Sequence, residues 1–204
     1  MRHDISVSIL LDFDGVLADT EPLHWRCWND TLRPLGLEVS WEDYQLHCVG
    51  ISDREFLERL GSLGNPPRSL EELLPYYPLK KKLFRMRATA GGLVPAELKQ
   101  VLARIPPQRL AVVTSSSRQE IEPILRAEQI LHQFGAAVYG DDVSRLKPDP
   151  EPYRLALQRL GVTTGIALED SGPGMESARR AGCEVIPVRH PSEVPRILKQ
   201  RLNL

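Results

Sequence analysis

The sequence predicts a three-layer α/β fold with a mostly parallel sheet, interrupted after its first strand by an inserted α-helical domain. Two observations lead there. Short apolar runs alternate with segments of helical spacing, which is the pattern of βαβ units. Between the first and second such runs lies a long stretch, residues 19–88, that reads as helices only.

The first run, residues 7–11, is apolar and ends in Asp12. The apolar stretch from residue 5 is too short to cross a membrane and does not end in a small-residue cleavage site, so no export signal is expected. Helical patterns follow at residues 22–35, 41–47 and 53–60, and over 70–87 with a break expected at Pro75 and Pro78. Gly64-Asn65-Pro66-Pro67 reads as a turn between them. The strand rhythm then returns at residues 110–113, 136–139, 166–168 and 184–188. Helices are expected at 118–129, 152–160 and 173–181, the last with Pro173 near its start and Gly182 just past its end. The predicted domains are therefore an α/β core, 1–18 and 89–204, and a helical domain, 19–88.

Bulk properties bound the function. With 26 Lys and Arg against 27 Asp and Glu, the net charge is −1, which offers no footprint for nucleic acid or an anionic membrane. Cys27, Cys48 and Cys183 are scattered, odd in number and without Cys-x-x-Cys spacing, so neither a disulfide framework nor a zinc site is indicated. A reducing, cytoplasmic setting is expected.

In a parallel sheet, chemistry sits beyond the carboxyl ends of the strands. The residues there are Asp12-Phe13-Asp14-Gly15, Thr114-Ser115-Ser116-Ser117, Lys147-Pro148-Asp149 and Glu169-Asp170-Ser171-Gly172. Taken singly, each also reads as a capped turn or a helix start. Together they form one coherent set. Carboxylates without His or Cys make a hard oxygen site suited to Mg²⁺. Hydroxyls, backbone amides and a lysine bind phosphate oxygens. An aspartate can act as the nucleophile, and a second carboxylate as acid and base. These are the parts that phosphoryl transfer requires.

The run Leu11-Asp12-Phe13-Asp14-Gly15-Val16-Leu17-Ala18-Asp19-Thr20 resembles the first motif of the haloacid dehalogenase superfamily, and Glu169-Asp170-Ser171-Gly172-Pro173-Gly174 its fourth. Lys147-Pro148-Asp149-Pro150 resembles the third and Thr114-Ser115-Ser116 the second, so the likeness spans nearly the whole chain in order. It is nearest to the branch that holds β-phosphoglucomutase and small sugar-phosphate phosphatases. The resemblance implies a Rossmann-like core with a mobile helical cap hinged near Asp19-Thr20. It implies Asp12 as nucleophile and Asp14 as general acid/base. It implies a Mg²⁺ site formed by Asp12, Asp170, the backbone carbonyl of Asp14, and Glu169, directly or through water. Lys147 is implied as phosphate ligand, with Ser115 preferred over Thr114 as the phosphate-binding hydroxyl and Ser116 beside them.

In the cap, His24, Gly50 and Arg54 match substrate-facing positions, although Arg54 stands one residue off the mutase pattern and also reads as a solvated charge. Pro95 is followed by Ala96 where many relatives carry Pro-Gly, a change that touches no catalytic role. Dehalogenation itself is disfavoured, because Asp14 and the 169–170 pair match the phosphate-processing members. The implied function is a Mg²⁺-dependent phosphatase acting on a small phosphate ester, as a monomer. A phosphomutase is the alternative, and a non-catalytic binding relative the third reading.

Overall fold

The computed structural model describes residues 7–49, 51–64 and 66–204. The chain divides into two compact units: one runs up to Asp19 and resumes over Gly91–Leu204, and the other is Thr20–Ala90.

The first unit is built on five strands: β1 (Ile9–Leu11), β2 (Leu110–Val113), β3 (Ala136–Val138), β4 (Ile166–Glu169) and β5 (Glu184–Pro187). They form one sheet in the order β3-β2-β1-β4-β5, with every pairing parallel. The expected α/β class is what forms, with a sheet that is parallel throughout. Leu10 of the central strand pairs with Ala111 on one side and Ala167 on the other. These residues are fully buried, and strands covered on both faces must be apolar at every position. Edge strand β5 is partly exposed along its length.

Helices surround the sheet. α8 (Glu151–Leu160) packs on β2 and β3, and α9 (Gly172–Arg180) on β4 and β5. Tyr153, Ala156 and Leu157 of α8 join Ala111, Val113, Val138 and Ala178 in one buried cluster. α7 (Arg118–Ala127) stops two residues short of the expected end, because Gln129 takes a left-handed conformation at φ 60°. β1 begins two residues late, with Val7 already 37% exposed. β3 ends before Tyr139, whose N–H leaves the ladder to donate to the Asp142 carboxylate. α10 (Val194–Leu202), absent from the sequence expectation, buries Val194, Leu198 and Leu202 at a four-residue spacing and packs against α6 (Ala96–Leu102).

The second unit is helical: α1 (Glu21–Leu32), α2 (Trp41–His47), α3 (Asp53–Leu63), α4 (Leu70–Leu73) and α5 (Tyr77–Ala88). Serines start three of them. Ser40 and Ser52 accept the Asp43 and Glu55 N–H groups, and Ser69 forms a reciprocal capping box with Glu72. Pro75 lies in a 3₁₀ turn at Leu74–Tyr76, so the expected break is there, but Pro78 opens α5 instead of breaking it, since a first-turn proline sacrifices no hydrogen bond. The core of this unit is aromatic, gathering Trp28, Tyr44 and Phe56 with Trp25, Trp41 and Tyr77 around it. All three tryptophans of the chain, Trp25, Trp28 and Trp41, belong to this unit. Lys80 is 1% exposed and bonds both oxygens of Asp53, at 2.8 and 3.1 Å, while Trp28 Nε1 donates to the same carboxylate at 2.9 Å.

Candidate active site

The carboxyl ends of β1, β2 and β4 bring the acidic residues together. The Asp12 N–H donates to Leu168 O at 3.1 Å, extending the β1–β4 pairing by one residue and setting Asp12 beside Glu169. Beyond it the chain turns tightly: the Leu17 and Ala18 N–H groups donate to Phe13 O at 2.9 and 3.0 Å, and Gly15 N–H donates to Ala18 O at 2.9 Å. Gly15 sits at φ +69°, and a Cβ there would lie 2.1 Å from Asp170 Oδ2. Only glycine allows both the conformation and the approach of Asp170. Asp14 lies half-buried in this turn and pairs with Ala18 in a short bridge.

Lys147 ties the strand ends to one another. Its side chain is 6% exposed, and Nζ donates to Asp12 Oδ1 at 2.7 Å, Glu169 Oε1 at 2.6 Å and Val113 O at 2.9 Å. These three acceptors use all three ammonium protons. Glu169 is fully buried. Its Oε1 also accepts the Tyr153 hydroxyl at 2.6 Å, and its Oε2 accepts Ser171 Oγ at 3.2 Å. Gly174 makes room for it, since a Cβ there would lie 2.1 Å from the Glu169 carboxyl carbon. Tyr153 does not stand out in the sequence as a site residue and reads as a core residue of α8. Ser171 falls within the strand-end set Glu169-Asp170-Ser171-Gly172, although no role of its own is read for it there.

The Thr114–Ser117 segment follows β2. Thr114 is buried; its N–H bonds Val138 O at 2.9 Å and its hydroxyl accepts the Ser116 N–H at 3.1 Å. Ser115 is exposed and Ser116 half-buried, with the Ser116 carbonyl accepting from Gly140 N–H at 2.8 Å. The hydroxyl of Thr114 is thus engaged in holding the loop.

Asp12, Glu169 and Asp170 each offer an oxygen within 4.8 Å of the others, a grouping able to hold a metal ion. The Asp14 carboxylate is not among them. Three carboxylates against the one ammonium of Lys147 leave two negative charges in surplus, which a divalent cation would balance. The donors are all oxygen, as Mg²⁺ prefers. Titration behaviour reflects burial first and the surplus charge second. Burial pushes the Asp12 pKa well up; Lys147 opposes this, while Glu169 and Asp14 add to it. Burial, then the charge of Glu169, raises Asp170 to about 6. Burial works to lower Lys147, but the Asp12 and Glu169 carboxylates outweigh it and hold the ammonium charged. Burial and Glu169 keep the Tyr153 phenol protonated.

The remaining expected site residues fall in the helical unit. His24 is half-buried and stacks on Phe84 with ring centroids 4.0 Å apart. Burial, followed by the charge of Lys80, lowers its pKa to about 3. Arg54 is exposed and its Nε lies 3.5 Å from Glu58 Oε1. Gly50 lies outside the described residues.

Residues 9–188 match the model of the haloacid dehalogenase-like hydrolases. The chain belongs to that family. Among its relatives, a phosphorylated carbohydrates phosphatase of Thermotoga maritima is 34% identical over 183 residues, covering 88% of this chain and 83% of its own. The β-phosphoglucomutase of Bacillus subtilis is 24% identical over 182 residues, covering 86% of this chain and 80% of its own. The crystal structure of CbbY from Rhodobacter sphaeroides in complex with phosphate is similar with a TM-score of 0.62 at 30% identity, covering 90% of this chain and 88% of that one. As a haloacid dehalogenase-like hydrolase the chain is an enzyme, and the strand-end cluster is its candidate centre.

Proposed function

We propose that this enzyme is a Mg²⁺-dependent phosphatase that hydrolyses a small phosphate ester, a sugar phosphate in class, through an aspartyl-phosphate on Asp12. The observation that carries this reading is the buried Lys147 ammonium bridging Asp12 and Glu169, with Asp170 beside them. Such an arrangement holds a carboxylate nucleophile in place and leaves room for a cation to neutralise a bound phosphate. The phosphatase and CbbY relatives support the same chemistry.

In this reading an Asp12 oxygen attacks phosphorus, the P–O bond to the alcohol breaks, and Asp14 gives its proton to the leaving oxygen. Asp14 then takes a proton from water, whose oxygen attacks the phosphoryl group and frees Asp12. Asp12, Glu169, Asp170 and the Asp14 carbonyl would hold Mg²⁺, which would supply charge neutralisation and orient the phosphoryl oxygens. Lys147 offsets the charge of Asp12. Ser115 is assigned as the phosphate-binding hydroxyl, since it is exposed while that of Thr114 is committed to the loop. Ser116 contributes alongside. The helical unit serves as the cap, with His24, Gly50 and Arg54 as its substrate-side residues. The enzyme acts as a monomer in the cytoplasm, a setting in keeping with three free thiols. Among the described residues no helix is long and apolar enough to cross a membrane.

The test is phosphate release from a panel of sugar phosphates with Mg²⁺, with EDTA, and with Asp12→Asn. Release that requires Mg²⁺ and falls roughly 10³-fold or more in Asp12→Asn, with an unchanged circular dichroism spectrum, is expected. Undiminished release by that variant would remove the nucleophile assignment. The β-phosphoglucomutase relative favours one other reading, a phosphomutase. Isomerisation of β-glucose 1-phosphate without phosphate release would establish it.

A further inference from the structure

Glu169 is more tightly held than a metal-binding carboxylate has to be. Its Oε1 accepts two short hydrogen bonds, from Lys147 Nζ and from Tyr153 Oη, both at 2.6 Å. A carboxylate oxygen has two lone-pair sites, so Oε1 is saturated. Among the described residues, Oε2 accepts the longer bond of 3.2 Å from Ser171 Oγ. The absence of a side chain at Gly174 leaves the space this carboxylate fills, since a Cβ there would lie 2.1 Å from Oε2. Tyr153 also acts on Lys147 directly, for its ring centroid lies 5.3 Å from Nζ, within cation–π range. One fully buried side chain on the first turn of α8 thus touches both partners of the bridge that locates Asp12.

We propose that Tyr153 is a positioning residue for the divalent-cation site: its hydroxyl commits Glu169 Oε1 to the Lys147 bridge and so reserves Oε2 for the cation. This rests on the Mg²⁺-dependent reading given above. Without the hydroxyl, Oε1 keeps only Lys147, the carboxylate is free to turn about its last bond, and the oxygen offered to the cation is no longer defined. Outer residues that orient ligands in this way typically change metal affinity 10- to 100-fold when removed.

Tyr153→Phe deletes one oxygen atom and keeps the ring, so it isolates the hydroxyl. Two quantities are measured on the full-length protein: the Mg²⁺ dissociation constant by isothermal titration calorimetry, and the Mg²⁺ concentration giving half-maximal phosphatase activity. The expected result is a rise of about tenfold or more in both. The kcat at saturating Mg²⁺ should fall much less than that, and the rise in Tm on adding Mg²⁺ should shrink. A Tyr153→Phe protein whose Mg²⁺ dissociation constant stays within twofold of wild type overturns the proposal, even if its Tm drops, since that pattern belongs to packing alone. Should the Phe variant fail to accumulate, Tyr153→Met, which also lacks the hydroxyl, gives the same comparison. A wild-type protein that hydrolyses esters without any need for Mg²⁺ would instead remove the functional reading. A Mg²⁺-dependent wild type with an unaffected Tyr153→Phe variant would remove only the role of Tyr153.

Discussion

Gly15 and Asp170 show how single residues set the candidate site. Gly15→Ala must place a Cβ where Asp170 Oδ2 now sits, at a backbone conformation that costs an L-residue about 1–2 kcal/mol. The expected outcome is a loss of that order in urea unfolding together with weaker Mg²⁺ binding, because Asp170 has to move. Asp170 itself carries a pH signature. Its pKa of about 6 in the fold lies above the ordinary carboxyl value of 3.8, so in metal-free protein its contribution to stability is present below that value and is lost as pH rises towards 6. Mg²⁺ competes with this proton. Activity at limiting Mg²⁺ should therefore fall as pH drops through about 6 and recover when Mg²⁺ is raised, as Mg²⁺ titrations at pH 5, 6 and 7.5 would reveal. A half-saturating Mg²⁺ concentration that does not change with pH would contradict it. The acidic and basic members of the cluster were legible in the sequence, because each follows an apolar run and few residue types do this chemistry. Tyr153 was not, because its bond to Glu169 spans 16 residues and a tyrosine on the apolar face of a helix looks like core. The sequence prefers Ser115 over Thr114 as the phosphate-binding hydroxyl but does not show that the Thr114 hydroxyl accepts the Ser116 N–H, which depends on the loop's conformation.

Among the elements, legibility follows burial. The strands β1 to β4 are buried on both faces and so appear as unbroken apolar runs, with errors of a residue or two at their ends. Those errors come from side chains that intercept backbone groups, as Asp142 does at Tyr139 N–H. Helix α10 is not legible although Val194, Leu198 and Leu202 recur every four positions, because it is short and carries Pro195 in its first turn. The least legible feature of the helical elements is an ion pair. Lys80 of α5 lies in a run of three lysines that reads as a solvated face, yet it is buried against Asp53 of α3. It also lies 5.0 Å from the centre of the Trp28 ring. Asp53→Ala strands that ammonium and should cost about 3–5 kcal/mol by chemical denaturation. The double variant Asp53→Ala with Lys80→Met should recover much of the loss. A cost below about 1 kcal/mol for the single change would mean that Lys80 reaches water at little expense.

At the scale of the whole molecule, the two units respond to different conditions. The α/β unit gathers the surplus negative charge and should be stabilised by Mg²⁺. The helical unit responds to acid. His24 has a pKa lowered to about 3 from the ordinary imidazole value of 6.5, so the fold keeps it neutral. Its stabilising contribution is complete above 6.5 and is lost as pH falls towards 3, by up to about 1.4 kcal/mol for each pH unit. His24→Gln should flatten that dependence, and an unchanged slope in the variant would assign it to other groups. The confinement of every tryptophan to Thr20–Ala90 gives the experimenter a selective window on this unit. Light at the long-wavelength edge of the indole absorption band excites tryptophan alone, so the emission reports the helical unit and ignores the phenylalanines and tyrosines of the α/β unit. An acid titration followed by emission wavelength and, in parallel, by far-ultraviolet circular dichroism would separate the unfolding of one unit from that of the other without any label.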